Sequence, residues 1–439
     1  MSSILTNNGA MVALQTLRGI NRNLADTQNA IATGKDVSSA KDNAAVWAIS
    51  KVMESDVSGF KAISDNLGLG QSTVAVARQA AETTTDLLKQ MKEKIVASQE
   101  SNVDRNKIQD DISALRNQIG SVVGAAQFNG LNLLSNAYEG GAAGYTATGF
   151  TDAQSAGEVN VLSSLDRSST GVTTADITVV KQDLSTQAGS TGSLTLAAGA
   201  ASGTGTAGAN GSGSATYTIN GETGTAGRTE AVMAGDSYSF EMSVFSAAVT
   251  GTPFAATDLA TYTARDGDTQ ADIAAGLVQR INYQLAENDV QGFEVQVDPT
   301  NSNAFTIVNN NGTAMAAAGA GDFTLNAGGT SSGGLELLAD IDVTTEEGAR
   351  AGLIAIEGLI QTAIDSASAF GSAQTRIETQ KDFVSGLTDA LKSGIGTLVD
   401  ADMEEASARL QALQVQQQLG VQALSIANQA PQQLLSLFR

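Results

Sequence analysis

The sequence predicts a mainly α protein: a long coiled-coil-like helical rod formed by both termini, with an inserted β-rich (α+β) central domain. Three observations carry this prediction. No Asp, Glu, Lys or Arg occurs from Met1 to Leu17 or from Leu410 to Phe438, although both ends are helical in pattern. Inside the ends, apolar residues recur at alternating spacings of four and three, the signature of a heptad seam. Between Lys181 and Lys381 there is no lysine, Gly and Thr are frequent, and period-2 alternation replaces the heptads.

The elements follow in chain order. Ile4, Met11, Leu14, Leu17, Leu24 and Ile31 form the apolar stripe of a first helix, which Gly34 is expected to stop. Ser39, with Asp42 three residues on, is expected to cap the next helix, leaving a short hinge between the two. Trp47 stands just after that hinge, with no role that its position explains. From Ile49 to Ile95 a seam of Ile49, Met53, Phe60, Ile63, Leu67, Val74, Ala77, Ala81, Leu88, Met91 and Ile95 predicts a helix. At ~1.5 Å per residue it would be about 70 Å long. The seam is interrupted at Asp56, Gly70 and Thr84. A shorter stripe, Ile108, Ile112, Leu115, Ile119 and Val122, ends before an Asn129-Gly130 turn.

In the middle, strands are expected at Tyr238, Phe240, Met242 and Val244, at Phe293, Val295 and Val297, and from Phe305 to Val308. A helix from about Asp268 to Ala286 carries Ile273, Leu277, Ile281 and Leu285, opened by a capping box of Thr269 and Asp272. A second long seam then runs through Ile356, Ile360, Ala363, Ala367, Phe370, Ile377, Val384, Leu387, Leu391 and Leu398, with Thr344 and Glu347 as its capping box. Val399, Met403, Ala406, Leu410, Leu413 and Leu424 form the last stripe. The expected domains are 1–43 with 396–439 as a terminal coiled coil, 44–181 with 339–395 as a helical rod with a small β region, and 182–338 as the inserted domain.

Composition narrows function. The 439 residues allow about three domains. A net charge of −22 argues against nucleic acid or anionic lipid as a ligand, since both need a basic footprint. Cysteine and histidine are absent, which removes disulfides, thiolate metal sites and the commonest general base. No cofactor is implied. No basic segment precedes an apolar stretch as in a secretory signal, and no apolar run of membrane-spanning length is expected.

Three motifs that resemble chemical sites read better as structure. Gly329, Ser331 and Gly333 have the spacing of a nucleophile elbow but no histidine to serve them, so they read as a loop. Ser38 and Lys41 fall in the hinge. Asp266, Asp268 and Asp272 hint at a calcium loop, yet the position of its bidentate ligand is Leu277, so helix capping is favoured. Charge-free, Asn- and Gln-rich ends fit burial against partners on all sides. The reading is therefore assembly, with Ile4, Met11, Leu14, Leu17, Leu24, Ile31, Met403, Leu410, Leu413 and Leu424 as the interface. Ile49, Met53, Phe60, Ile63, Leu67, Leu88, Ile360, Phe370, Ile377 and Leu391 would be the rod seam.

With these residues in view, the chain resembles bacterial flagellins. The resemblance rests on SSILTNNGAMVALQTL at the start, SSAKDNAAVWAIS at 38–50, AQFNGLNLL at 126–134 and VDADMEEASARLQALQVQQQLGVQALSIANQAPQQLLSLFR at 399–439. It covers roughly residues 1–180 and 340–439 and leaves out the middle. It implies a subunit exported through the flagellar type III channel that polymerises outside the cell into the filament. It also implies terminal helices in an inner tube, heptad helices in an outer tube and the insert projecting into solvent. Implied partners are further copies of the chain, an export chaperone, and junction and cap proteins. Gln90 and Lys94 stand where many flagellins carry an Arg- and Leu-centred patch recognised by an innate-immune receptor, so the chain departs from that pattern. A hook-filament junction protein is the alternative within the same apparatus, and an added adhesin role of the insert is another. The metallopeptidase insertions of some flagellins need an HExxH motif, which a chain without histidine cannot supply.

Overall fold

The computed structural model describes residues 7–135, 157–168, 171–192, 194–195, 201–204, 213–219, 232–248, 254–255, 257–265, 267–310, 322–327 and 329–437. Ile4 and Asp266 lie outside these residues. The protein is mainly α, with helices from both ends of the chain packed together and a strand-rich region between them in sequence. It divides into two compact units. One holds Met1–Asp65, Ser164–Thr174 and Gln380–Arg439, and the other holds Asn66–Ser163 and Ala175–Thr379.

In the first unit, α1 (Asn8–Thr33) opens where the Asn7 side chain accepts from the Ala10 amide. It ends at Gly34, whose φ of 69° is the left-handed conformation expected of a C-terminal glycine. The hinge differs from its prediction. The Asp42 carboxylate accepts from the backbone amides and hydroxyls of both Ser38 and Ser39, closing a turn rather than opening a helix. The cap of α2 (Ala44–Ser98) is Asn43, which accepts from the Val46 amide at 3.3 Å. Here α2 meets α5 (Glu346–Val399), with Met53 seated over Gly394. α6 (Met403–Leu437) starts on Asp402, which accepts from the amides of Glu404 and Glu405.

In the second unit, α2 and α5 run antiparallel. Arg78 donates to Gln374 at 2.9 Å, Lys92 pairs with Glu357 at 2.5 Å and Gln99 donates to the Ala349 carbonyl. α3 (Arg105–Ala125) buries Ile112, Ile119 and Val123, then β1 (Gln127–Phe128) and β2 (Leu131–Asn132) form a hairpin. Its turn residues Asn129 and Gly130 have φ of 52° and 80°, the pair of positive values that a two-residue hairpin turn requires. β3 (Glu158–Ser168) and β4 (Gly171–Val180) pair as a two-stranded sheet, whose residues Glu158–Ser163 and Ala175–Val180 belong to this unit. Within this unit Val161 of β3 lies so close to α2 that a Cβ on Gly70 would come 2.7 Å from it. The seam interruption at Gly70 is therefore the seat of a strand.

The region predicted as an insert carries two four-stranded antiparallel sheets. These are formed by β5 (Leu194–Thr195), β6 (Ala201–Thr204), β7 (Gly213–Ile219), β8 (Ser237–Glu241), β9 (Leu259–Thr263), β10 (Phe293–Val297), β11 (Ala304–Asn309) and β12 (Phe323–Ala327). One sheet has the order β10-β11-β7-β6 and the other β5-β12-β8-β9. α4 (Gln270–Glu287), capped by the predicted Thr269 and Asp272 box, buries Ile273, Leu277, Ile281 and Leu285 in a core shared with both sheets. Tyr217, Phe240 and Phe305 form its aromatic centre, with ring centroids 5.0 to 5.6 Å apart.

Three further expectations are corrected. Met242 and Val244 are buried, but they lie in a 3₁₀ helix, Met242–Ala248, not a strand. β8 ends at Glu241, opposite Leu259 of β9; the Met242 amide still reaches the Asp258 carbonyl at 2.9 Å, and from there the chain coils into the 3₁₀ helix. The cap of α5 is Thr345, whose hydroxyl accepts from the Gly348 amide, while Thr344 donates its own amide to Asp342. Finally, α5 holds an 18-residue stretch of mean hydropathy 1.2, enough by length and composition to cross a membrane, where no such run was expected. A third of that stretch is buried, and Ala351, Ala355, Ile356, Leu359 and Ala363 of α5 pack within the second unit.

Candidate assembly surface

The terminal helices pair along one face. Asn7 donates to the Ala427 carbonyl at 2.8 Å, Gln417 donates to Asn21 at 2.8 Å, and a Cβ on Gly420 would touch Leu17 and Ile20. The helices are thus antiparallel and joined by uncharged polar groups. The two connectors are laced together at the other end of the pair. Asp36 donates its amide to the Val399 carbonyl at 2.7 Å, Ala401 donates to Gly34, and Lys35 and Asp400 form a β-bridge. Lys35 also lies 3.8 Å from Glu54 of α2, which Lys51 meets at 2.6 Å. The Lys51 hydrogen bond, with the charge of that lysine and of Lys35, holds the Glu54 carboxyl below the usual range.

Of the interface residues named from sequence, Leu413 is buried and Leu17, Leu24, Ile31, Leu410 and Leu424 are half-buried. Met11, Leu14 and Met403 are exposed, at 62%, 40% and 44%. Beside them lie apolar residues that the heptad reading passed over: Val12, Val415, Leu419, Val421 and Ile426, all more than half exposed. They fall off the stripe that faces the partner helix, so periodicity alone did not single them out. The absence of charge all round the helix was the signal that could have found them. One pair of helices covers only one face of each, and beyond Arg18, Arg22 and Asp26 on α1 and Glu404, Glu405 and Arg409 on α6 the apolar surface left open to water is uncharged. Apolar patches of this kind mark interaction sites.

The seam residues divide by unit. Ile63 is buried in the first unit, and Leu67, Leu88, Ile360, Phe370 and Ile377 in the second. Met53, Phe60 and Leu391 are half-buried. Ile49, placed in the seam from sequence, is 54% exposed, and Ser50 next to it is buried with its hydroxyl on the Trp47 carbonyl. The inward face at the start of α2 is thus one residue out of step with the heptad projection. Ser331 is buried in the loop that follows β12, where Gly333 donates to the Gln187 carbonyl. Ser38 and its neighbour are engaged by Asp42. Lys94 pairs with Asp111 at 2.6 Å across α2 and α3. Among the described residues no cluster of acidic side chains could hold a metal ion.

Comparison with known proteins follows the same lines. The bacterial flagellin N-terminal helical region matches residues 4–139 and the bacterial flagellin C-terminal helical region matches residues 353–438. Flagellin A of Rhizobium meliloti is 35% identical over 445 residues, covering 100% of both chains. Flagellin B of the same organism is 34% identical, again over 100% of both. A solved flagellar hook associated protein-3 from Legionella pneumophila superposes with a TM-score of 0.34 at 11% identity, over 79% of this chain and 98% of that one. That likeness is too distant to carry an argument.

Proposed function

The chain belongs to the bacterial flagellin family and is a structural subunit of the flagellar filament, not an enzyme; from that premise we propose that it is exported through the flagellar type III channel and polymerises with itself outside the cell. The observation that supports this reading is the open apolar surface of the α1–α6 pair at Met11, Val12, Val415, Leu419, Val421 and Ile426, all within the stretches Met1–Leu17 and Leu410–Phe438 that carry no charge. In a helical polymer, neighbouring copies would cover that surface, and each unpaired buried ion there would cost several kcal/mol, which accounts for the missing charges. The division proposed is 1–43 with 396–439 as the inner layer, 44–181 with 339–395 as the outer layer, and 182–338 facing solvent. The buried seam residues would supply stiffness, so that the filament transmits torque as a propeller. The export chaperone and the junction and cap proteins are proposed as further partners.

Electron microscopy of the purified protein after seeding or salting out tests this, comparing the full chain with one ending at Val399. Filaments from the first and none from the second are expected. Filaments from both would put the polymerising surface elsewhere, and filaments from neither would favour a junction component.

A further inference from the structure

The last turns of α4 rest on the connector that leads from the sheets into α5, and the joint is crowded with carboxylates. Arg280 is its only nearby α4 cation, 2.6 Å from Glu336 and 3.5 Å from Asp340. The Tyr283 hydroxyl donates to the Asp340 carbonyl at 2.5 Å. Between these groups lies a cavity of about 330 Å³ lined by Arg280, Tyr283, Gln284, Glu287 and Asp340. Glu287 faces it with Asp340 and Asp342 as its charged neighbours, and among the described residues no ion pair reaches it. Two more cations border the joint, and the charge of the first, Arg116, favours the ionised form of Asp340. Arg116 of α3 donates to the Ala339 carbonyl, and Arg350 of α5 pairs with Asp289 at 2.8 Å.

We propose that this joint is an acid-tightened clasp: at neutral pH the partly buried charges of Glu287 and Asp340, with Asp340 and Asp342 repelling Glu287, loosen the seating of α4 on the 336–342 connector, and proton uptake by Glu287 and Asp340 closes it. The sign follows from the environment. Partial burial, then Asp340 and Asp342, hold the Glu287 carboxyl above its usual range. Partial burial, reinforced by Glu336, does the same for Asp340 against the opposing pull of Arg280 and Arg116. Each group therefore binds its proton more tightly in the closed joint than in an open chain. The cost of its charge is fully present above the folded value and vanishes as pH falls through that value towards the ordinary carboxylate range. Asp289 is held below its usual range, chiefly by its hydrogen bond from Arg350, so the flanking ion pair survives in that window. The Asp340 side chain is 49% exposed, which confines the effect to local opening.

The clasp is independent of filament assembly and is tested on the unassembled full chain. Amide hydrogen exchange over 280–290 and 336–343 is compared at about pH 7.5 and about pH 5.5, corrected for the intrinsic rate, with the 293–309 strands as the internal standard. Protection of the two joint segments is expected to rise roughly three- to tenfold relative to the strands on acidification. The double variant Glu287→Gln with Asp340→Asn should reach that protection already at neutral pH and show no further rise. No local gain in the wild type, or a gain that persists in the double variant, overturns the proposal.

Discussion

Two side chains on α2 show how a single residue sets the packing of this chain. Thr84 is fully buried, and its hydroxyl has no hydrogen-bond partner, so the helix carries the cost of a desolvated polar group. Thr84→Val should raise stability by about 1 kcal/mol, read from thermal unfolding of the full chain. A loss of stability would mean that the hydroxyl finds water. Gly70 is the opposite case, because the space for its side chain is taken by Val161. Gly70→Ala should cost about 1 to 3 kcal/mol by overpacking, less the ~1 kcal/mol that alanine gains over glycine in a helix. Gly120 of α3 has nothing within 4 Å of its would-be Cβ, so Gly120→Ala should be stabilising, by about 1 kcal/mol. The interruptions at Gly70 and Thr84 were visible in the sequence, but only the folded packing shows that one seats a strand and the other buries an unpartnered hydroxyl.

At the scale of the element, α6 carries the assembly argument. Leu419, Val421 and Ile426 point away from α1 and are 55% to 69% exposed. Replacing all three with glutamine should leave the helical content of the unassembled chain unchanged, because glutamine is as good a helix former and no packed contact is lost. The same change should raise the critical concentration for filament formation severalfold, measured by sedimentation. An unchanged critical concentration would remove this face from the interface. The laced connectors are a second element-scale device. Gly34 at φ 69° cannot accept a side chain without strain. Gly34→Ala should weaken the pairing of residues 34–36 with 399–401 by about 1 kcal/mol, read as faster amide exchange at Asp36 and Ala401.

For the whole molecule the question is how much of it folds before assembly. Ordering a backbone costs roughly 1 to 2 kcal/mol per residue. The α1–α6 pair must meet that cost with one buried face, whereas α2, α4 and α5 are embedded in continuous cores. We therefore expect amides in 8–33 and 403–437 to exchange far faster in the free subunit than those in 74–95 or 273–285, and to become protected in filaments. Protection of the ends in the free subunit would show that folding and polymerisation are not coupled.

Much of this was legible in the sequence, because helix periodicity, capping chemistry and charge are local properties. The heptad stripes located the long helices, Gly34 and the Asn129-Gly130 turn marked real breaks, and the Thr269–Asp272 box opened α4 as read. The family, too, was carried by contiguous residues at the two ends. What the sequence left undecided depends on groups distant along the chain. Ser39 with Asp42 reads as a helix cap, yet the Asp42 carboxylate takes the amides and hydroxyls of both Ser38 and Ser39 and closes a turn, leaving Asn43 to cap α2. Met242 and Val244 alternate like a strand, yet after one last bond from the Met242 amide to the Asp258 carbonyl the chain coils into a 3₁₀ helix that buries both side chains. Ile49 sits at a heptad position, but packing turns its face of α2 to water. The same holds for Gly70, where a strand nearly a hundred residues away in sequence decides whether a side chain fits. Local pattern specified the helices and their ends; which face is inside, and what lies against it, depended on contacts that exist only once the chain is folded.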